Sequence, residues 1–417
     1  MKTASHVDDA AASGANAPLS TATILLMAAC GATSVANVYY VQPLLDAVAI
    51  EFSISNAAVG GVITATQLGC ALALLFVVPL GDLLNRKVLL CVELALLAFM
   101  LLVVSVSPSP ILLLIGMAGL GLLGTAVTQG IIAYAATLSS PSDRGRTIGT
   151  IQSGVLVGVL GARSLSGVVA DLAGWRTVFV VSALLAVAML FLFLRSLPRL
   201  SIAPTKLKYP QLLLSMVNLL AKERVLQVRG VLGMMVFAAF GAFWSALVLP
   251  LRAEPYQLPY TVIGAFGFLG IAGALAAARA GRLADRGLGE QTTCLALLCM
   301  IVAWAPIALL PHSLLVLSLG IVLLDLGGQA VHVINQSMIF KTRPEMHSRL
   351  VGCYMLFYAA GLGLGAIAAT YTFSQAGWAG VCWLGLGISA AALVFWSMTR
   401  HTLSVPPITG EYWKPRL

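Results

Sequence analysis

Charge is what this sequence has little of. Only 9% of its 417 residues are Asp, Glu, Lys or Arg, where a soluble domain carries about 25%. Hydrophobic residues make up 59%, and mean hydropathy is +0.97. A water-soluble globule is excluded. The net charge of +9 does not indicate nucleic acid, because the basic residues sit in short loops between apolar runs, as the positive-inside rule requires. Paired cysteines are also missing. Cys30, Cys70, Cys91, Cys294, Cys299, Cys353 and Cys382 lie singly inside apolar runs, and none forms a CxxC. They read as small packing residues, with no disulfide framework and no metal site. There is no nucleophile elbow and no phosphate loop. Gly327-Gly328 and Gly361-x-Gly363-x-Gly365 fall within apolar runs instead. The chain therefore reads as no enzyme, uses no cofactor, and holds no nucleotide-binding domain that could drive transport with ATP.

What is present is a repeat. The charged break Val78-Pro-Leu-Gly-Asp-Leu-Leu-Asn-Arg-Lys87 separates two apolar runs, and Gly281-Arg-Leu-Ala-Asp-Arg286 echoes it. Asp82 and Asp285 are 203 residues apart. At the same offset, without a gap, Pro141 matches Pro344, Arg146 matches Arg349, Gly149 matches Gly352 and Gly158 matches Gly361. Gly174-Trp175 likewise matches Gly377-Trp378. Matches at one constant offset mean a tandem of two halves. Equivalent charged loops fall on one side, so each half carries an even number of crossings.

Residues 1–18, with His6, Asp8 and Asp9, read as a cytoplasmic tail. The first apolar run is too long, and lacks the basic flank, for a cleaved signal peptide. Residues 19–195 hold six candidate spans, at about 19–49, 56–80, 88–106, 110–138, 147–171 and 175–195. A connector fills 196–228, and residues 229–399 hold six more, at about 229–251, 260–281, 291–310, 313–340, 348–370 and 377–399. Residues 400–417 form a second tail. Each run is long enough to cross a hydrocarbon core of ~30 Å. The connector carries Leu212, Leu213, Met216, Leu219 and Leu220 at helical spacing, as an amphipathic helix on the membrane surface would.

Lys and Arg set the orientation. Arg86, Lys87, Arg144, Arg146, the connector cations (Arg229 counted among them), Arg279, Arg282, Arg286, Lys341, Arg343 and Arg349 share one side. The other has only Arg176 and Arg252. Both termini and the connector are thus expected in the cytoplasm, with the protein spanning a bacterial inner membrane.

Twelve spans in a 6+6 repeat, with an acidic-basic loop after spans 2 and 8, resemble the major facilitator superfamily. That family's loop reads roughly G-x-x-x-D-R-x-G-R-R. The second copy keeps Gly281, Asp285 and Arg286. The first keeps Asp82, Arg86 and Lys87, with Val78, Leu83 and Asn85 where Gly, Arg and Gly are usual. Pro141-Ser-Asp-Arg-Gly-Arg146 and Gly174-Trp-Arg-Thr-Val-Phe179 are also similar to the family. The resemblance implies an all-α membrane fold of two six-helix bundles around a central cavity, related by a pseudo-two-fold axis. It also implies a latch role for Asp82, Arg86, Lys87, Asp285 and Arg286, which stabilises the outward-facing state. A carboxylate at one helix end can face the positive N-terminus of a neighbouring helix and pair with nearby arginines.

Within the superfamily, Gly154, Gly158, Gly161 and Gly167 resemble the span-5 glycine motif of drug:proton antiporters. The motif's proline is absent and Arg163 stands near its place. Single glycines at this spacing equally serve close helix packing. Span 4 lacks the arginine of that branch. Asn37-Val-Tyr-Tyr-Val-Gln-Pro43 and Asp325-Leu-Gly-Gly-Gln329 resemble a bacterial subgroup of efflux permeases.

Polar residues at membrane depth are costly and mark a pathway or a partner. Asp325, Gln329, His332 and Gln336 fall within a roughly 60° arc of span 10. The resemblance makes spans 1, 4, 7 and 10 the cavity walls. The expected substrate cavity therefore draws on Asn37, Tyr40, Gln42, Gln67, Gln129, Gln152, Trp244, Gln329, Gln336, Tyr354 and Tyr358. Aromatic walls with few charges suit a small amphipathic or apolar solute. Proton coupling is assigned to Asp325, Arg163 and His332. Arg163 and Asp325 each stand sixteen residues from a basic-loop end of their span, so both lie ~24 Å deep. A bridge between the halves follows, as does the alternative of a permanent structural pair or of separate bonds within each half. Glu93 is expected to pair with a loop arginine, and Asp46 and Asp171 to be solvated. Taken together, the residues indicate a monomeric secondary transporter that binds a small molecule and protons within the bilayer. Proton-coupled efflux leads, and uptake of a sugar or organic acid by symport or facilitation is the alternative.

Overall fold

The computed structural model describes residues 19–140, 142–197, 208–340, 342 and 346–400. Residues 1–18 and 401–417, Pro141, Lys341, Arg343, Pro344 and connector residues Arg199 and Lys206 lie outside the described residues.

Long apolar runs give long helices, and prolines mark where two of them fail. Span 1 begins as Thr21–Ala36 and resumes as Leu45–Glu51, with a tight turn at Gln42–Leu44. Pro43 explains the break, since it has no N–H to donate and its ring clashes with the preceding turn. Span 2, Gly61–Asp82, widens at Ala73–Val77 and tightens at Val78–Asp82, around Pro79. Spans 3 to 6 are Arg86–Ser105, Pro110–Leu138, Arg144–Ala173 and Trp175–Ser196. The connector helix is Tyr209–Lys222, which buries Leu212, Met216 and Leu219. Spans 7 to 10 are Arg224–Arg252, Tyr260–Asp285, Gly289–Ala308 and Leu314–Phe340. Spans 11 and 12 share the continuous helical stretch His347–Thr399, broken at Gly377. Span 7 starts before Arg229, which is not a connector residue but a helix-interior one at 1% exposure.

The result is the all-α architecture of two six-helix bundles. Its repeat is visible in the backbone. Gly174 and Gly377, matched in the sequence repeat, both have positive φ (84° and 60°) and both join the last two spans of their half. This is a backbone region that glycine enters at no steric cost. Gly158 and Gly361 also do equivalent work. A Cβ on Gly158 would lie 2.3 Å from the Ala32 carbonyl oxygen, and one on Gly361 would lie 2.2 Å from that of Met234. Span 5 therefore touches span 1, and span 11 touches span 7, backbone to backbone.

The halves meet unevenly. Among the described residues, side-chain hydrogen bonds between the two bundles gather at the face away from the Arg86 loop, apart from the Tyr39–Tyr358 pair in the cavity between them. Thr64 Oγ1 donates to Gly363 O (2.7 Å), Thr370 Oγ1 to Ala57 O (3.3 Å) and Ser164 Oγ to Gly264 O (2.9 Å). Arg252 bonds Asp46 (3.3 Å), and Asp171 accepts from Tyr260 N (3.1 Å) and Thr261 N (2.7 Å). Asp46 and Asp171 are therefore not idle solvated carboxylates but ties across the halves. At the opposite, basic-loop face the connector helix bonds the first half, Tyr209 Oη to Phe76 O (2.8 Å).

The cavity between the halves and its buried charges

A cavity of about 440 Å³ lies between the bundles, walled by spans 1, 2, 4, 5, 7, 10 and 11. Its polar lining includes Gln67, Gln129, Gln152, Gln329 and Gln336, with Tyr39, His332 and Tyr358 among the rings. No Asp, Glu, Lys or Arg lines it among the described residues. Tyr39 and Tyr358 join across the halves, Oη to Oη at 3.0 Å. His332 Nδ1 meets Tyr354 Oη at 3.2 Å, and its ring stands edge-on to Phe237, with centroids 5.1 Å apart. Glutamine amides both donate and accept, so the lining can serve solute groups of either kind without a net field.

Six of the expected cavity residues line it: the five glutamines and Tyr358. Five do not. Asn37 Nδ2 donates to Thr33 O (3.0 Å) and its Oδ1 accepts from Ser182 (2.7 Å), which joins span 1 to span 6. Tyr40 turns toward the same serine and is 2% exposed. Gln42 holds Arg163, Trp244 stacks on Arg163, and Tyr354 is buried behind His332. The helix break explains the first three. The turn before Pro43 rotates residues 37–42 off a simple helical face, so periodicity counted through it misplaces them. Tyr39, Phe237 and Phe340 line the cavity and were not singled out by sequence. Aromatics in an apolar run carry no signal that separates packing from lining.

Arg163 and Asp325 are close but not bonded. Arg163 Nε donates to Gln42 Oε1 (2.7 Å), and its guanidinium carbon lies 4.0 Å from the Trp244 ring centre. Trp244 belongs to the other half, so Arg163 bridges the bundles through a ring face instead of the predicted carboxylate. A desolvated contact of this kind contributes about 2 kcal/mol. Asp325 is 5% exposed and its Oδ2 has no hydrogen-bond partner. Both side chains pack on one turn of span 8, Phe266–Gly270. A Cβ on Gly267 would lie 3.4 Å from Arg163 Cδ, and one on Gly270 would lie 3.4 Å from Asp325 Oδ2. In a 3₁₀ turn residues i and i+3 eclipse and rise ~6 Å, so the two charges are neighbours along one face.

At the basic-loop face, Arg86 Nη2 pairs with Asp82 (2.9 Å), while Nη1 donates to Ala133 O (2.7 Å) and Thr137 Oγ1 (2.6 Å) of span 4. Lys87 donates to the Leu194 and Leu197 carbonyls at the end of span 6. These contacts tie spans within the first half. Asp285 and Arg286 are exposed and form no ion pair among the described residues. Glu93 corrects its expectation too, since among the described residues it makes no ion pair and its Oε2 is buried without a partner. Arg229, buried in span 7, pairs with Glu290 of span 9, which also accepts from Trp396 Nε1 (2.7 Å).

The Major Facilitator Superfamily profile matches residues 26–304 and again 231–414. The chain belongs to this superfamily. It is 40% identical over 386 residues to "Uncharacterized transporter YgaY" of Escherichia coli O157:H7, across 93% of this chain and 98% of that one. It is 26% identical over 265 residues to "Inner membrane transport protein YnfM" of Escherichia coli (strain K12), across 63% of each chain. Among solved structures it is similar to a bacterial homolog of the human lysosomal transporter Spinster, in an inward-facing and occupied conformation. That match has TM-score 0.75 and 13% identity, and covers 94% of this chain and 100% of that one. It is also similar to the nucleoside transporter NupG, with TM-score 0.73 and 13% identity, covering 90% and 98%. At such identities these two show the fold alone. This major facilitator protein is a multi-pass membrane secondary transporter.

Proposed function

We propose that this transporter moves a small, uncharged amphipathic solute outward across the bacterial inner membrane in exchange for protons. The observation that carries the solute class is the cavity lining of five glutamines and several rings with no fixed charge. A cationic solute would want a carboxylate there, and a sugar phosphate or organic acid would want several cations. The basic loops face the cytoplasm by the positive-inside rule, with both termini on that side. Cross-half ties gathered at the opposite face, by Asp46, Thr64, Ser164, Asp171 and Thr370, then correspond to a state closed to the outside. The two bundles, residues 19–195 and 229–399, rock about the cavity, and the monomer is the working unit.

Coupling rests on Asp325 and Arg163. A buried carboxylate with an unpartnered oxygen is costly when charged, so Asp325 holds a proton while Arg163 is engaged by Gln42 and Trp244. Rocking that pulls Trp244 away frees Arg163 to reach Asp325, and the pair favours the ionised carboxylate. His332, bonded to Tyr354 inside the cavity, reports solute occupancy to the same span. The test begins with a thermal-shift screen of neutral amphiphiles on the purified protein. Flux of a hit is then measured in proteoliposomes under an imposed proton gradient. Flux against the proton movement supports exchange, and flux with it establishes symport. Asp325→Asn is expected to lose gradient-driven accumulation while keeping solute exchange. Full gradient-driven transport by that variant would remove Asp325 from the mechanism.

A further inference from the structure

A second cavity, of about 200 Å³, lies at the basic-loop face, between the ends of spans 2, 3 and 4, the connector helix and span 11. Its wall is mostly aliphatic, with Leu74, Leu90 and Met216 among the lining side chains. Gln129 and Leu74 line both this cavity and the central one. Glu93 is its unusual member. The residue is 4% exposed, and Oε2 has no hydrogen-bond partner. Its Oε2 faces Gly130 of span 4, where a Cβ would stand 3.5 Å away, at ordinary contact distance.

The charged groups facing this cavity are Asp82, Arg86 and Arg349. Arg86 is fully engaged by the carbonyls of Gly81 and Ala133, by Thr137 and by Asp82. Lys87, on the same helix as Glu93, is held by carbonyls of span 6. The connector helix contributes Leu212 and Met216 to the wall, and neither carries charge. Arg349 begins span 11 in the other half, and it forms no ion pair among the described residues. Glu93 and Arg349 thus stand in different bundles around one space.

We infer that Glu93 is a second proton-binding site, separate from Asp325, which releases its proton when the basic-loop face closes. With that face apart, the carboxyl sits in a mostly aliphatic wall where Arg86 is engaged by other partners and Arg349 is not paired with it, and it keeps its proton. Closing the face brings Arg349 toward span 3, and a carboxylate–guanidinium pair then replaces the O–H. The central carboxyl would govern one switch and Glu93 the other. This inference rests on the proton-coupled reading above, and the experiment separates the two.

The probe is dicyclohexylcarbodiimide, an apolar reagent that modifies protonated carboxyls, used on the full chain in liposomes with the adducts located by peptide mass spectrometry. Glu93 is expected to be labelled, with labelling falling about tenfold per pH unit above its midpoint, as for a single titrating acid. Arg349→Gln is expected to move that midpoint upward. Infrared absorption of the protonated carboxyl, wild type minus Glu93→Gln, supplies the same titration without reagent access. A Glu93 band or adduct that appears when Asp325 is silent sustains this site and overturns the central one. Asp325 signals with none from Glu93 in either measurement overturn this inference alone. Silence from both carboxyls overturns both readings.

Discussion

Asp171 offers the sharpest test of how the face away from the Arg86 loop is held. Its two carboxylate oxygens accept from the first two backbone N–H groups of span 8, Tyr260 N at 3.1 Å and Thr261 N at 2.7 Å. The residue preceding that helix is Pro259, which provides no side-chain cap. A side chain of the first half therefore caps a helix of the second in this arrangement, and parting the halves there would break the cap. Removing a capping side chain costs about 0.5–2 kcal/mol. Asp171 is exposed, so water replaces part of what is lost, and about 1 kcal/mol is the working figure. At about 1.4 kcal/mol per decade, the outward-open population should rise about fivefold. Asp171→Asn keeps one acceptor and should give a smaller rise than Asp171→Ala. The assay is the spin-label distance between Asn56→Cys and Gln375→Cys, exposed positions at the ends of the two halves away from the Arg86 loop, with the native cysteines replaced. Equal distance distributions in wild type and Asp171→Ala, or a shift toward the closed state, would refute the capping argument.

Other outcomes follow from the same geometry. Glu290→Gln should lower the unfolding temperature more than Arg229→Met. The first strands a guanidinium at 1% exposure, whereas the second leaves a 36%-exposed carboxylate still bonded to Trp396; an uncompensated buried charge costs about 3 kcal/mol or more. Gly158→Ala should cost about 1–3 kcal/mol of stability by forcing spans 1 and 5 apart. Gly149→Ala, with nothing within 4 Å, should be silent in the same melt. Asp82→Asn should reduce transport with insertion intact, and Asp285→Asn should do less. Wild-type rates in Asp82→Asn proteoliposomes would remove the latch. Asp325→Asn should uncouple flux from the proton gradient, as measured in proteoliposomes.

The class, the twelve spans and the two halves were decided by the sequence alone, because each rests on a local or repeated property. Hydropathy sets a span, Lys and Arg mark a face, and a constant offset marks a repeat. Gly158 and Gly361 matched in sequence and then proved to make the same backbone contact. The glutamines were legible for a similar reason. An amide at membrane depth is rare enough to stand out, and five of the six glutamines expected there line the cavity, Gln42 holding Arg163 instead.

What the tertiary structure decided is which partner each charge takes. Arg163 and Asp325 have matching depth, yet Gln42 and the Trp244 ring claim the guanidinium. Those partners lie on spans 1 and 7, and no periodicity within span 5 or span 10 can reveal them. Asp46 and Asp171 looked solvated because their partners come from the opposite half. Arg229 looked like a loop cation because the helix containing it begins before hydropathy alone would start it. Pairing energies depend on distances of a few ångströms between residues hundreds of positions apart. The sequence sets which charges must find partners in lipid, and the packing of the two bundles decides which partners they find.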